Sequence, residues 1–385
     1  MTPTLQNISV EKGRRILIAG DLHGGGKFLR RLLAEVNFCP QDELFLLGDY
    51  VEKGEASLDT LRLVMQLSRL PNVHVLQGNV DLWRAMVLTG ELEVPADENW
   101  QQLQLYRRWW GTSLLQEMAE ELCLPLTCQE ELAAALPLLR DRFAPEIRFL
   151  RELPTLFRAG DLTFVHGGLP TCNEAEWPDR APREFMKVDA FSSRDLRFEN
   201  PVIVGHWPAT LYRSTVPCHD PLWDRQRNIL SMDGGCGLKT EGQLNLAVLP
   251  DIESRDFSFY AWDDLPAFRA MEDQQPSTDS LNLTWTDREV EVLAKEGDFC
   301  RVRHLTTGRE LRIPRSMLHK DEGVTSCNQD VTDHVLPVKK GELLKLVSRH
   351  GKACLCKKQG FVGWYYGELV PAGEAPAWCG PIPTV

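Results

Sequence analysis

The stretch Ile16–Gly24, Ile-Leu-Ile-Ala-Gly-Asp-Leu-His-Gly, decides the fold of this chain. Its apolar run ends abruptly at Gly20, which is the length and the boundary of a short buried strand. Asp21 and His23 follow at once and are two residues apart, so in extended chain their side chains point the same way. A carboxylate beside an imidazole at the end of a strand is half of a metal site, although aspartate after glycine is also ordinary turn chemistry. The rest of the sequence decides between these two interpretations.

The segments that follow alternate between helix and strand. Apolar residues at helical spacing predict helices over Phe28–Val36 and Leu58–Leu70, and short apolar runs predict strands over Glu43–Leu47 and Val73–Leu76. This alternation favours a parallel α/β layer, in which sites gather beyond the carboxyl ends of the strands. Each strand leads into a glycine and then a residue that can bind metal, so we expect the strand ends to converge on one place.

Further strands are predicted after a helical segment. Residues 91–151 are rich in Leu, Glu, Gln and Arg and are expected to form a helical insertion that walls the site. Leu162–Val165 and Pro201–Val204 are predicted strands that lead into His166 and His206. Asn228–Met232 and Gln243–Leu249 are expected to pair within a second sheet. The predicted fold class is therefore α/β, a two-sheet β-sandwich flanked by helices.

The composition changes after residue 270. A polar, proline-containing segment at 271–280 is a candidate linker between a first domain, 1–270, and a C-terminal part made of short strands and turns. Two small antiparallel β-barrels are predicted, at 281–318 and 336–370. The C-terminal part is therefore expected to be all-β.

Length, charge and cysteine usage limit the class of protein. The chain has 385 residues, 43% hydrophobic and 25% charged, with a net charge of −12. An acidic balance argues against a nucleic-acid polymer as partner, but a phosphate ester held with divalent cations remains possible. Eleven scattered cysteines predict reduced thiols. The polar first residues and the lack of a run of roughly 18 apolar residues predict a cytoplasmic protein with no membrane span.

The strand-end residues form a ligand set for two metal ions. Two carboxylates, one amide oxygen and three imidazoles suit a pair of divalent manganese, iron or zinc ions, with manganese favoured. Two such ions about 4 Å apart bind phosphoryl oxygens and generate a bridging hydroxide near neutral pH. The predicted metal ligands are Asp21, His23, Asp49, Asn79, His166 and His206.

Five motifs in order resemble those of the calcineurin-like metallophosphoesterases, most closely the protein serine/threonine phosphatases and the bacterial diadenosine tetraphosphatases. Residues 231–237 resemble the Asp-x-Gly-Cys segment of the same group, and the resemblance covers about residues 15–250. The five motifs are Gly20-Asp21-Leu22-His23-Gly24, Gly48-Asp49-Tyr50-Val51-Glu52-Lys53-Gly54, Gly78-Asn79-Val80-Asp81, His166-Gly167-Gly168 and Gly205-His206.

The resemblance implies a role for each ligand. Asp21, His23 and Asp49 would hold the first metal. Asp49 would bridge to the second, which Asn79, His166 and His206 would complete. The expected reaction is attack of a metal-bridging hydroxide on the phosphorus of a phosphate ester or phosphoanhydride.

Two of the motifs depart from the family pattern. Val80 stands where the family has a histidine that protonates the leaving oxygen, and valine transfers no proton. Glu52 and Lys53 stand where the family has an aspartate that orients this histidine and an arginine that grips phosphate. Lysine keeps the charge but not the bidentate fork of arginine. Losing a general acid costs about 10²–10⁴ in rate, mostly on substrates with poor leaving groups.

Several residues are candidates for the lost function. Asp81, Glu52 or His219 could act as the acid, so the predicted catalytic set is Asp49, Lys53, Glu52 and Asp81. Arg84 is one helical turn beyond Asp81 and either contacts phosphate or is an ordinary solvated helix residue. The alternative to hydrolysis is a metal-binding pseudo-phosphatase that serves as a binding or regulatory module.

The expected partners follow from these hypotheses. The substrate would be a phosphorylated small molecule or a phosphoprotein. The segment Gly360–Val370 resembles the Gly-Trp segment of bacterial SH3-like domains, which implies a peptide or protein partner for the C-terminal barrels. Trp364 and Tyr365 would alternatively only pack in a core.

Overall fold

The computed structural model describes residues 2–321 and 323–372, which fall into two compact units. The first unit contains 2–209 and 221–263, and the second contains 210–220 and 264–372. Each unit has its own sheets, and we describe each by itself.

The first unit alternates strands and helices as predicted, and the observed bounds differ from the predicted ones by a few residues at each end. Its helices are α1 (Gly26–Glu35), α2 (Ser57–Leu67), α3 (Asn79–Thr89), α4 (Ala96–Trp110), α5 (Leu114–Glu121), α6 (Gln129–Arg142), α7 (Ala144–Glu152) and α8 (Arg183–Met186). Its strands are β1 (Leu5–Ile8), β2 (Ile16–Ala19), β3 (Glu43–Leu46), β4 (Val73–Val75), β5 (Leu156–Ala159), β6 (Leu162–Val165), β7 (Val202–Val204), β8 (Leu222–Asp224), β9 (Ile229–Ser231), β10 (Leu244–Leu249) and β11 (Ser258–Trp262).

These strands form two sheets. One has five strands in the order β11-β10-β2-β3-β4, in which β2, β3 and β4 are parallel neighbours. The other has six strands in the order β1-β5-β6-β7-β9-β8. The predicted two-sheet α/β class is confirmed.

The strand β2 explains why the opening apolar run has no polar residue. Leu17 and Ala19 pack into the core beneath the helices, while Ile16 and Ile18 pack into the core that also holds Phe164 of the six-stranded sheet. Successive side chains on a strand point to opposite faces. Because both faces of this strand are covered, every position in it must be apolar.

The predicted pairing of the strands near residues 229 and 244 is wrong. β9 lies in the six-stranded sheet, parallel to β7, whereas β10 lies in the five-stranded sheet, antiparallel to β2. The glycine-rich segment between them therefore carries the chain from one sheet to the other instead of closing a hairpin.

The predicted insertion is helical. The helices α4 to α7 occupy most of residues 96–152, and their buried residues, among them Leu103 and Leu139, join the same core as α1 and α2. The insertion thus extends the helical layer that covers the five-stranded sheet.

The second unit is all-β in the residues described, as expected. Its strands are β12 (Ala267–Ala270), β13 (Asn282–Leu283), β14 (Val290–Glu296), β15 (Phe299–His304), β16 (Glu310–Pro314), β17 (Leu318–Asp321), β18 (Val324–Cys327), β19 (Val331–Thr332), β20 (Leu343–His350), β21 (Ala353–Lys358), β22 (Phe361–Tyr365) and β23 (Leu369–Pro371). Short 3-10 helices of the two units lie at Glu174–Asp179, Phe191–Ser193, Ala209–Tyr212 and Arg315–Met317.

The largest sheet of this unit has the order β22-β21-β20-β12-β23. It includes β12, which lies within the predicted first domain, 1–270. One hydrophobic cluster joins Val302 of the first predicted barrel to Trp364 of the second. The division into 1–270, 281–318 and 336–370 stays a prediction.

In the part of the chain that the structure describes, no helix has both the length and the apolar character that crossing a membrane requires.

Candidate metal centre

The strand ends of the five-stranded sheet bring the predicted ligands together. Asp21 and His23 follow β2, Asp49 follows β3, and Asn79 begins α3 just beyond β4. Since these three strands are parallel neighbours, their carboxyl ends share one edge of the sheet. One ligand atom from each of Asp21, His23 and Asp49 lies within 4.8 Å of the other two, and all three residues are buried.

Asp49 stands between two histidines. Its Oδ2 is 3.5 Å from Nε2 of His23, and its Oδ1 is 3.5 Å from Nε2 of His166. Asn79 joins the second side, because its Oδ1 is 3.1 Å from the same nitrogen of His166. A carboxylate with a different histidine at each oxygen has the arrangement that a bridge between two ions requires.

Backbone carbonyls orient both of these imidazoles. Nδ1 of His166 is 2.8 Å from the carbonyl oxygen of Leu47, and Nδ1 of His23 is 3.2 Å from that of Val51. A carbonyl accepts a hydrogen bond from Nδ1–H, which leaves Nε2 as the nitrogen that can bind a metal. In both rings Nε2 faces Asp49, as a metal ligand needs.

His206 approaches from the other sheet, where it follows β7. Its backbone N–H donates to Oδ1 of Asp21 at 3.0 Å, and its ring centroid is 5.4 Å from that of His166. Its Nε2 is 2.8 Å from Oδ1 of Asp189, a half-exposed residue in the segment before β7. All six predicted ligands therefore lie in one cluster.

The backbone of this cluster is strained. His23, Asp49 and His206 have φ values of 41°, 52° and 67°, and Glu52 and Lys53 have values of 65° and 62°. Left-handed backbone at a residue other than glycine costs of order 1–3 kcal/mol and concentrates at functional sites. The strain therefore falls on predicted ligands and on two of the three positions that depart from the family motifs.

The cluster is rich in buried negative charge. Burial raises the pKa of Asp21 well above its usual range, and the neighbouring charge of Asp233 raises it further. Asp233 follows β9, and burial likewise raises its pKa to about 6. Its Oδ2 is buried with no hydrogen-bond partner among the described residues. An acceptor left unpaired among other carboxylates fits a site that holds cations.

The histidines respond to this charge in different ways. Burial opposes a charge on His166, but the carboxylates of Asp49 and Asp21 outweigh it and raise its pKa to about 10. Burial lowers the pKa of His23 to about 3, with the charge of Lys53 acting in the same direction. Burial and the neighbouring charge of His166 lower the pKa of His206 to about 4. Without metal, His166 thus carries the proton that compensates the carboxylates.

The donor set therefore fits two divalent cations. Asp21, His23 and Asp49 supply one group of ligands, and Asp49, Asn79, His166 and His206 are grouped for a second. Mixed carboxylate, amide and imidazole donors suit first-row divalent ions.

Asp81 holds the loop of Asp49 in place. Its Oδ2 accepts from the N–H of Asp49 at 2.8 Å and from that of Gly78 at 3.0 Å, while its Oδ1 accepts from the N–H of Tyr50 at 2.9 Å. Burial and the charge of Asp49 raise its pKa to about 7. Both oxygens of this candidate acid are thus occupied by backbone donors.

Glu52 is paired with Arg84 rather than with a residue at position 80. Oε1 of Glu52 accepts from Nε of Arg84 at 2.5 Å, and both side chains are buried. The expectation of a solvated Arg84 is wrong, because this residue is 1% exposed. Lys53 is half-buried, and its charge joins those of His166 and His23 in lowering the pKa of Asp49 and opposes the rise that burial causes in the pKa of Asp233. His219, the third candidate acid, belongs to the second compact unit.

Sequence reasoning did not predict the contacts of three of these residues. The segment around Asp233 was recognised as a family motif without a role for its carboxylate. Arg84 was visible only through its position one turn beyond Asp81. Asp189 lies in no motif, and no local signal marked it.

The chain resembles known proteins at the level of sequence. Residues 14–230 match the family described as calcineurin-like phosphoesterase. Symmetrical bis(5'-nucleosyl)-tetraphosphatases of Yersinia pestis and Yersinia pseudotuberculosis are 49% identical to it over 74 residues, which are 19% of this chain and 25% of theirs. The match thus spans about a quarter of the length of those curated relatives.

Two solved structures are also similar. One is described as a diadenosine tetraphosphatase, with a TM-score of 0.43, 18% identity, and coverage of 68% of this chain and 99% of that one. The other is a protein serine/threonine phosphatase from Saccharomyces cerevisiae, with a TM-score of 0.41, 11% identity, and coverage of 69% and 85%.

Proposed function

Because the chain belongs to the calcineurin-like phosphoesterase family, which matches residues 14–230 and thus more than half of it, we propose that it is a dinuclear-metal phosphohydrolase. The carrying observation is the position of Asp49, with a histidine at each carboxylate oxygen and Asp21 alongside. The proposed ligands are Asp21, His23 and Asp49 for one ion and Asp49, Asn79, His166 and His206 for the other. When bound, two such ions supply a water of lowered pKa and positive charge for phosphoryl oxygens.

The residues of the chain itself set the rest of the chemistry. Lys53 adds a positive charge beside the site and helps to neutralise the phosphoryl oxygens. Asp81 is proposed to position Asp49 through backbone hydrogen bonds, and not to transfer a proton. Val80 donates no proton to a leaving oxygen. The proposed substrate is therefore a phosphoanhydride, such as a dinucleoside polyphosphate, or an activated ester, in preference to phosphoserine.

The test combines metal content with turnover. The full chain is stripped of metal, loaded with manganese, and assayed on an aryl phosphate and on a dinucleoside tetraphosphate. We expect about two ions per chain and turnover that Asp49→Asn abolishes. Asp195→Asn, at an exposed aspartate, is the matched control and retains both. Metal content close to zero after loading would contradict the proposal.

The absence of the family's acid at Val80 favours a second candidate, a metal-binding pseudo-phosphatase with a regulatory role. It predicts the same two ions and the same metal loss in Asp49→Asn. Unlike the hydrolase, it predicts no turnover of any ester or anhydride by the wild type. Activity on the aryl phosphate is thus the measurement that separates the two.

The metal and the compartment are further parts of the proposal. Manganese is favoured for the mixed oxygen and nitrogen donors, and competition among manganese, iron and zinc during loading tests it. No disulfide joins cysteines in residues 2–321 and 323–372, which supports a cytoplasmic location. Fractionation of expressing cells tests the location.

We also propose that the second unit contains SH3-like barrels that bind a peptide. A cleft of about 440 Å³ is lined by Phe299, Trp364, Tyr366 and Arg312, among others. The first two rings are 5.8 Å apart, and Tyr366 is 55% exposed. Aromatic-lined grooves suit extended peptides. Peptides selected on the full chain should bind at least tenfold more weakly to Tyr366→Ala, and equal binding would contradict this site.

A further inference from the structure

The side chain of Arg84 lies beside the position where the family's acid is missing. Arg84 is four residues after Val80 on α3, so the two are neighbours on one face of the helix. Helical side chains lean toward the N-terminus of their helix, which for α3 is the end that carries Asn79. The N–H of Val80 donates to Oδ1 of Asp49 at 2.9 Å. Arg84 therefore shares a helix face with Val80, whose N–H contacts the predicted bridging ligand, and its guanidinium pairs with Glu52, three residues beyond that ligand.

The guanidinium is held firmly. Its Nε donates to Glu52, whose other oxygen accepts from the N–H of Leu114 at 3.3 Å. Its Cζ lies 4.4 Å from the ring centroid of Trp83 and 5.9 Å from that of Tyr106. These contacts fix one edge and one face of the group, so its remaining N–H groups keep a fixed direction.

One of those N–H groups lacks an acceptor. Nη1 of Arg84 is buried and has no hydrogen-bond partner within residues 2–321 and 323–372. Leaving a charged donor unpaired in a buried place is unfavourable, because the group loses its hydration without compensation. A buried cationic donor with a fixed direction and no acceptor favours an anionic ligand, which would accept its hydrogen bond.

We infer that Arg84 binds a second phosphate group on the leaving side of the scissile bond, which makes the chain selective for polyphosphates over phosphate monoesters of alcohols. This inference rests on the proposed function. Guanidinium groups match phosphate oxygens well and stay charged. Arg84 is therefore a substrate-binding residue in place of a proton donor.

The chemistry of the leaving group explains why a cation can take the place of the family's acid. Water adds its oxygen to the scissile phosphorus and releases one proton to solvent, and the bond between this phosphorus and the bridging oxygen breaks. The electron pair stays on that oxygen, which leaves as part of the second phosphate. Such an anion needs little protonation but gains from an adjacent fixed cation. An alkoxide leaving group needs the proton that Val80 does not supply.

The test measures binding rather than turnover. The full chain loaded with manganese is titrated calorimetrically with methylenediphosphonate, which mimics a diphosphate without being hydrolysed, and separately with inorganic phosphate. Arg84→Gln should weaken diphosphonate binding at least tenfold and change phosphate binding less than twofold. Metal content should not change.

A second variant keeps the inference testable if Arg84→Gln does not fold with Glu52 left unpaired. The neutral pair Glu52→Gln with Arg84→Met removes both charges and should show the same selective loss. Unchanged diphosphonate binding in a folded variant, or equal losses for both ligands, overturns the inference. The proposed function fails separately, if the wild type turns over neither the aryl phosphate nor the dinucleoside tetraphosphate.

Discussion

Replacing Val80 by histidine should fail to restore acid catalysis on its own, because Arg84 is next to it. Position 80 is buried, and its backbone N–H is fixed by Asp49 at 2.9 Å. Residues four apart on a helix have Cβ atoms about 5–6 Å apart. Two unit charges about 5 Å apart at an effective dielectric constant of about 20 repel by roughly 3 kcal/mol. Because the paired Glu52 offsets part of that repulsion, the repulsion lowers a histidine pKa by at most about two units, from about 6.5 to no lower than about 4.5.

The N-terminus of α3 acts in the same direction, because the helix dipole disfavours a cation there. At pH 7 only a minority of such histidines carries the proton. Removing the guanidinium as well, in Val80→His with Arg84→Met, frees Glu52 to hold and charge the imidazole. The double variant should then gain about 10²–10⁴ in kcat/KM on an alkyl phosphate, which is the usual worth of a general acid.

The assay compares a phosphoserine peptide with an aryl phosphate on manganese-loaded protein. The ratio of the two kcat/KM values should rise only in the double variant. Val80→Gln with Arg84→Met is the control, because glutamine fills similar space and transfers no proton. If Val80→His alone gains as much as the double variant, the reasoning about Arg84 is refuted. A folded, metal-loaded double variant with an unchanged ratio refutes the reasoning about the missing acid.

Three further predictions concern metal binding and stability. Because the carboxylates raise the pKa of His166 to about 10, manganese must displace its proton when it binds. Calorimetry in buffers of different ionisation enthalpy should therefore show proton release, and the affinity for manganese should rise from pH 6 to pH 8. Binding without proton release would contradict this prediction. A Cβ at Gly205 would collide with Oδ1 of Asp21, so Gly205→Ala should weaken manganese binding at least tenfold, about 1.4 kcal/mol, and unchanged affinity would count against Asp21 as a ligand. Burial raises the pKa of Glu117 from 4.5 to about 7. The folded protein therefore holds this proton more tightly than the unfolded chain, and the folding stability that Glu117 contributes below pH 4.5 is lost as the pH rises to 7. In metal-free protein, the fall in unfolding free energy between pH 4.5 and pH 7 should be about 1–2 kcal/mol smaller in Glu117→Gln than in the wild type, after allowance for solvent screening. Identical denaturation curves for the two proteins across this range would contradict the prediction.

The residues that the sequence predicts well are those with a local signature. Asp21 and Asp49 each follow a short apolar run and a glycine, and both the strand and the turn are decided within a few residues. The parallel order of β2, β3 and β4 then follows from the helices between them. This is why Asp21, Asp49 and Asn79 could be placed at one edge of a sheet without coordinates, whereas His166 and His206 follow strands of the other sheet.

The residues that it misses depend on contacts distant in sequence. Glu52 and Arg84 are 32 positions apart, and neither side chain carries a local sign that they form a buried pair. An arginine one turn into a helix is solvated more often than buried, so only the packing of Trp83 and Tyr106 against it reverses that expectation. Likewise, the segment between β9 and β10 has hairpin composition, but the two sheets it joins are decided by strand neighbours elsewhere.

The metal centre itself does not distinguish a hydrolase from a pseudo-phosphatase. Four carboxylates, Asp21, Asp49, Asp81 and Asp233, are buried close together, and left-handed backbone adds strain at Asp49. Cations would relieve this repulsion in either kind of protein, so metal binding should stabilise the fold whether or not turnover occurs. The Glu52–Arg84 pair differs in this respect, because it is proposed to lie on the leaving-group side and is not among the predicted metal ligands. The unpaired donor of its buried cation gains a hydrogen-bond acceptor when an anion binds there. The dependence of binding and rate on the leaving group is therefore the property that separates the two functions, and Arg84 is the residue through which to measure it.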